Sequence, residues 1–182
     1  MDASIGYVIY CHNSDHSVTD AHKSILTSSY VKKVYAQNID TTIDSDKISL
    51  LPIGIANSMW PHGDILQLYK VISKVYRNKK VNPIYVNINP NTYLYRKNIL
   101  DKIKEKGKLT ISTGKPYVNY LEELASHRFC LCLRGNGIDT HRFWESLYLG
   151  VIPVIINNNT TKCKNFVKYL RKLEIPFYEI CD

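Results

Sequence analysis

From residue 83 to residue 180 the chain alternates without a break between short apolar runs and amphipathic ones. The runs "PIYVNIN" (83–89), "LTIST" (109–113), "RFCLCLR" (128–134), "IPVIIN" (152–157) and "IPFYEI" (175–180) have the length and content of strands. Between them, segments 92–106, 116–126, 139–149 and 160–173 carry apolar residues at helical spacing. Strands separated by helices pair in parallel, and a parallel sheet needs cover on both faces. The expected fold is therefore α/β, a Rossmann-like parallel sheet with helices on both sides. In such sheets ligands gather at the carboxyl ends of the strands, near the first turn of the following helix.

Upstream, strands are expected over 5–11, 32–37 and 47–55, with helices over 19–29 and 64–78. Pro, Gly and Asn cluster in "IANSMWPHGD" (55–64), which reads as a seam. Pro61 disfavours helix at Trp60, so the next helix starts after Gly63 with Asp64 as its cap. The seam divides the chain into a partial β/α segment, 1–62, and a complete β/α lobe, 63–182.

Charge follows the same division. Residues 1–60 carry 4 Lys and Arg against 6 Asp and Glu, whereas residues 61–182 carry 20 against 10. A basic second part suits an anionic partner, though many of its lysines lie in helical patterns such as "LDKIKEKGK" and "CKNFVKYLRKLE", where a solvated polar face is the plainer reading. The 14 tyrosines interspersed with lysine would suit base stacking, yet no nucleic-acid motif accompanies them, and no nucleic acid is expected. No run reaches the eighteen apolar residues of a membrane span. The acidic start of "MDASIGYVIYCHNSD" does not read as a secretory signal. Five cysteines lack metal spacing and read as reduced thiols of a cytoplasmic protein, with Cys130 and Cys132, sharing one strand face, as small core residues.

The segment "RGNGIDTHRFWESLYLG" (134–150) stands where a parallel sheet binds ligands. Gly135 and Gly137 permit positive φ and close approach, so that main-chain N–H groups point at an anion where the helix begins. Arg134 and Arg142 are suited to gripping a diphosphate. Glu145 follows Asp139 by nearly two helical turns, and an acceptor that deep in a phosphate site suits ribose hydroxyls. The alternative is that Asp139 caps the helix and Glu145 pairs with a lysine. The loop "CHNSDHSVTDAH" holds His12, Asp15, His16, Asp20 and His22. Asp15 and His16 are candidate general bases; the spacing of His12, His16 and Asp20 also admits a metal, and a plain polar loop is the third reading. "DSD" (44–46) follows no apolar strand and reads as an exposed turn. Trp60 and His62 sit at the seam, where the ring of Trp60 either packs the junction or stacks on a sugar or base.

The run "FCLCLRGNGIDTHRFWESLYLGVIPVI" resembles the signature of exostosin-like glycosyltransferases and their relatives in large DNA viruses and microbes. Strand, Arg-Gly turn, Asp, Arg, Glu and a Gly-x-x-Pro exit agree in order and spacing over residues 128–156. "LPIGIANSMWPHGD" resembles the passage between lobes, and "YCHNSDH" a loop late in the first lobe. The resemblance implies a GT-B architecture, of which this chain is the carboxyl-terminal lobe and a fragment of the first, with a protein partner as one source of the rest. It implies that Arg134 and Arg142 meet the diphosphate beside the turn of Gly135, Asn136 and Gly137. Glu145 would meet the ribose, Asp139 and His141 would shape the site, and Gly150 and Pro153 would be architectural. His12, Trp60 and His62 would line the acceptor side or the cleft. The implied activity is transfer of a sugar from a nucleoside diphosphate donor to a hydroxyl of a glycan or protein. The other implied function is a non-catalytic module that binds nucleotide-sugar or glycan within a larger assembly. With arginines supplying the charge, no obligatory metal or cofactor is expected. The expected place is the cytoplasm, or a virion if the chain is viral.

Overall fold

The computed structural model describes residues 5–75, 77–107, 109 and 111–182. The first part runs β1 (Tyr7–Cys11), β2 (Val18–Thr19), α1 (Lys23–Leu26), β3 (Val31–Ala36), β4 (Ile39–Asp40) and β5 (Ile48–Leu50), and α2 (Ile65–Val75) follows the seam. The second runs β6 (Asn82–Tyr85), α3 (Leu94–Glu105), α4 (Tyr117–Ala125), β7 (His127–Leu131), α5 (His141–Tyr148), β8 (Ile152–Asn157), α6 (Thr161–Lys172) and β9 (Tyr178–Cys181). Every strand pairing among the described residues is parallel: β1-β3-β5, β2-β4 and β6-β7-β8-β9. β7 and β8 are the interior strands of the four-stranded sheet, with Leu131 opposite Val154.

Alternation along these strands explains the helices on both faces. Phe129, Leu131, Leu133 and Val154 turn to one side, where they pack with Ile99 and Leu100 of α3. Cys130, Cys132 and Ile155 turn to the other, against Leu121 and Leu124 of α4, Phe143 of α5 and Leu170 of α6. The second cluster continues into the three-stranded sheet through Val31, Val34, Ile48 and Leu50. Helix α6 packs between the two parts, against β4 and β5. Asn165 Nδ2 donates to the carbonyls of Thr41 at 2.8 Å and Ile39 at 3.4 Å. Lys168 meets Asp44 at 2.6 Å and Lys172 meets Asp46 at 3.1 Å, so the exposed "DSD" turn docks this helix.

The structure departs from the sequence pattern where side chains or backbone divert hydrogen bonds. The helix expected over 19–29 shrinks to a 3-10 turn at Asp20–His22 and the single turn of α1. Asp20 is drawn to the Thr41 hydroxyl and to the main chain and hydroxyl of Thr42, which together hold its carboxyl below the usual range. The strand expected over 47–55 stops at Leu50. Pro52 has no N–H to pair, and Gly54 turns left-handed at φ +65°. The strand over 109–113 reduces to one parallel bridge, Asn87 to Ser112; Thr110 lies outside the described residues. Strands β2 and β4 are too short to leave a period in the sequence. Asp64 does cap α2, its Oδ1 accepting from the N–H of Leu66 at 3.0 Å and Gln67 at 3.1 Å. Among the described residues no helix is long and apolar enough to cross a membrane.

Phe143 is 1% exposed and meets Trp144 and Phe166 edge-on, with centroids 5.1 and 5.7 Å away. Phe143→Ala is expected to cost about 3–5 kcal/mol of stability through lost burial and the cavity left behind. Urea denaturation reads the loss, and a change below about 1 kcal/mol would show that this cluster does not carry the core.

Candidate functional site

The parallel sheet delivers its loops to one end, and the loop after β7 passes between two openings there. Of the two glycines in that loop, neither adopts positive φ among the described backbone, contrary to the expectation for Gly135 and Gly137. Their missing side chains serve close packing instead. A Cβ on Gly135 would lie 3.3 Å from the guanidinium of Arg96, and one on Gly137 would lie 3.1 Å from the Asn38 amide. The Asn38 Oδ1 accepts the N–H of Ile138 at 2.9 Å, so the loop is laced to the first sheet.

One opening is a cavity of about 470 Å³. Its wall carries Arg142 and Glu145 of α5, and Tyr117 and Tyr120 of α4. Asn87 and Asn89, which follow β6, Arg96 of α3, and Lys115 and Thr140 add to the polar lining. Arg142 holds its guanidinium 5.6 Å from the centroid of Tyr120, and its buried Nε has no hydrogen-bond partner. Arg96 is 8% exposed and spends its donors on main-chain carbonyls: Arg134 at 2.7 Å, Leu133 at 3.1 Å and Asn89 at 3.3 Å. Burial, with the charge of Arg142 nearby, lowers its pKa to about 10, which leaves it cationic at neutral pH. Glu145 is 3% exposed and accepts from Tyr120 at 2.7 Å and Tyr117 at 3.2 Å. Burial and the Glu145 charge push both phenols up, so both remain O–H donors. Pro61 and His62 close the cavity from the seam.

The second opening, about 590 Å³, is lined by His12, Asp15, Gln37 and Trp60 among others. His141 lines both. Its Nδ1 lies 2.8 Å from the Gly54 carbonyl, and its ring faces His62 at 6.1 Å. Trp60 stacks on His62 at 6.2 Å, so an aromatic row connects the two openings.

The family model for the Exostosin GT47 domain matches residues 6–169. The chain belongs to this exostosin family. Its function is glycosyltransferase-like, and its mixed α/β, Rossmann-like fold accords with that membership. Among curated proteins, none matches the chain.

Several residues singled out in the exostosin-like segment lie elsewhere than expected. Arg134 lies outside both openings. Its guanidinium folds back onto the carbonyls of Asn136 at 2.7 Å and Gly135 at 3.2 Å and covers the Tyr93 ring at 4.3 Å. The gap beside it is a slit of about 10 Å³, room for one water. Asn136 is exposed at the tip of the turn. Asp139 is buried away from both openings, its Oδ2 accepting from Ile53 N–H at 2.7 Å and its Oδ1 from Trp144 Nε1–H at 2.8 Å. It therefore does not share a face with Glu145. His16 lines neither opening; it is exposed, and its N–H donates to Ser14 Oγ at 3.1 Å. Gly150 turns left-handed at φ +65° after α5, and Pro153 is buried in β8. Arg96, Tyr117 and Tyr120 escape a linear reading. Arg96 sits in a lysine-rich helix where a cation reads as solvated, and the tyrosines read as packing.

Burial pushes the Asp139 carboxyl up to about 7, against the pull of the N–H groups of Ile53, Trp144 and Thr140. A carboxyl raised in this way binds more protons folded than unfolded between about pH 4 and pH 7. The free energy of unfolding therefore falls as pH rises through that window. Asp139→Asn cannot titrate, and its decline over the window is expected to be shallower than the parent's. At pH 4 the variant should be less stable by about 1–3 kcal/mol, because an amide N–H faces a main-chain N–H. Denaturation of both chains across the window checks this; parallel pH curves would refute a titrating Asp139.

Proposed function

We propose that the chain transfers a sugar from a nucleoside diphosphate sugar to an acceptor hydroxyl, within a GT-B-type arrangement. The donor occupies the 470 Å³ cavity, formed mainly by residues 63–182, and the acceptor occupies the 590 Å³ cavity, formed mainly by residues 1–62. One observation carries the reading. The first cavity gathers Arg96 and Arg142, together with Lys115, which pairs with Glu123 at 2.7 Å, against a single acidic lining residue, Glu145. A lining richer in cations than in carboxylates fits an anionic ligand, to which a guanidinium offers paired N–H donors. A diphosphate matches in charge and in its oxygen pairs.

In this reading Arg142 binds the diphosphate and Arg96 adds field from behind, its own donors being committed to carbonyls. Glu145, already held by two phenols, keeps lone pairs for ribose hydroxyls. The reaction is a direct displacement at the anomeric carbon, with developing charge on the diphosphate met by fixed cations. Charge neutralisation is assigned to arginine, with no obligatory metal or cofactor. The acceptor hydroxyl, of a glycan or a protein, enters past Trp60 and His12.

Arg142→Ala is expected to lose roughly ten- to a hundredfold in affinity for UDP or GDP, on the order of 1.5–3 kcal/mol for a charge-assisted bond. Arg142→Lys should lose less, and affinity for the bare nucleoside should hold in both. Calorimetric titration of diphosphate and nucleoside into each variant, with thermal midpoints as a folding control, reads the outcome. Equal losses for diphosphate and nucleoside would mean that Arg142 does not bind phosphate.

A further inference from the structure

We infer that His141 is the general base of the transfer, taking the acceptor proton at Nε2. The inference rests on the donor and acceptor assignment of the two cavities. In a single displacement the acceptor oxygen and the anomeric carbon meet where the two substrate spaces join, and the base must reach that point. His141 is the one described residue that lines both cavities.

Its ring is also set in the required tautomer. A carbonyl oxygen only accepts, so the 2.8 Å contact to Gly54 places a proton on Nδ1. The neutral ring then keeps its lone pair on Nε2. Gly54 makes this possible through its left-handed backbone at φ +65°, which turns the chain after β5 toward α5. Competing groups are less well placed. Asp15 and His12 line the acceptor cavity alone, and His62 and Glu145 the donor cavity alone. Glu145 is also committed to two phenols.

Nε2 takes the hydroxyl proton as the acceptor oxygen bonds to the anomeric carbon. The bond from that carbon to the diphosphate oxygen breaks, and its electron pair leaves on the diphosphate beside Arg142. The imidazolium later releases its proton to water. Attack opposite the leaving group inverts the anomeric configuration. Titratable and charged groups around the ring are His62 at 6.1 Å, His12 and Asp15 across the acceptor cavity, and Lys115, Arg96, Arg142 and Glu145 across the donor cavity.

The test compares the parent chain with His141→Gln, His141→Ala and Asp15→Asn. Diphosphate release is followed from a panel of UDP- and GDP-sugars, with water and with simple sugars as acceptors. UDP and GDP binding is titrated in parallel. His141→Gln should keep nucleotide affinity and donor KM while kcat falls about 100- to 10,000-fold, the range of general-base catalysis. The acid limb of the kcat profile should vanish with it. Added imidazole should restore part of the turnover of His141→Ala and none of that lost in Asp15→Asn. Should His141→Gln keep kcat within about threefold, or Asp15→Asn alone abolish turnover, the base is not His141. A parent chain that binds UDP or GDP yet turns over no donor overturns the base assignment. One that binds neither nucleotide overturns the cavity assignment on which it rests.

Discussion

The Asp139 carboxylate takes one hydrogen bond from the main chain of Ile53, just past β5, and one from the indole of Trp144 on α5. Beside it, Ile138 N–H reaches Asn38, and His141 reaches the Gly54 carbonyl. Within four consecutive residues, 138–141, the loop after β7 is fastened three times to the first part of the chain. Both openings take their shared wall from this stitching, because His141 can face two cavities only while the seam and the loop hold register. Satisfying a buried carboxyl with N–H donors from two elements makes the junction specific: neither element alone can supply both.

Three arginines at this end of the sheet divide the space by what they bond. Arg96 runs under the loop and binds the carbonyls of Leu133, Arg134 and Asn89, groups that the end of a strand leaves without ladder partners. A Cβ on Gly135 would stand 3.3 Å from this guanidinium, so glycine leaves it the room it occupies. With that volume filled, Arg134 turns outward over Tyr93, and Arg142 alone of the three keeps a buried donor unused. Burial lowers the pKa of Arg96, and the charge of Arg142 beside it adds to the cost.

Much of this architecture was legible in the sequence because β7, α5 and β8 are regular enough to leave their period in the residue order. The parallel pairing, the interior position of "FCLCL" and "PVII" and the burial of Cys130 and Cys132 follow from that pattern, and the Asp64 cap from Pro61 and Gly63 before it. The Exostosin GT47 match covers residues 6–169 and agrees with the resemblance carried by residues 128–156. The rest was set by contacts between distant segments. Where Arg134 and Asp139 point depends on Arg96 and Ile53, residues 38 and 86 positions away. That Tyr117 and Tyr120 converge on Glu145 depends on the docking of α4 against α5, which no local spacing encodes.

The position of α6 bears on the order in which the molecule is made. Asn165 bonds to Thr41 across 124 residues, and Lys172 to Asp46 across 126. A chain emerging from the ribosome can pair β1 with β3 early, yet the side of that sheet which α6 covers stays bare until residues 161–172 follow. Parallel pairings with such long closures form slowly and leave apolar surface exposed in the meantime. The amino-terminal third is thus a part of the nascent protein whose cover waits for α6, more than a hundred residues further along the chain.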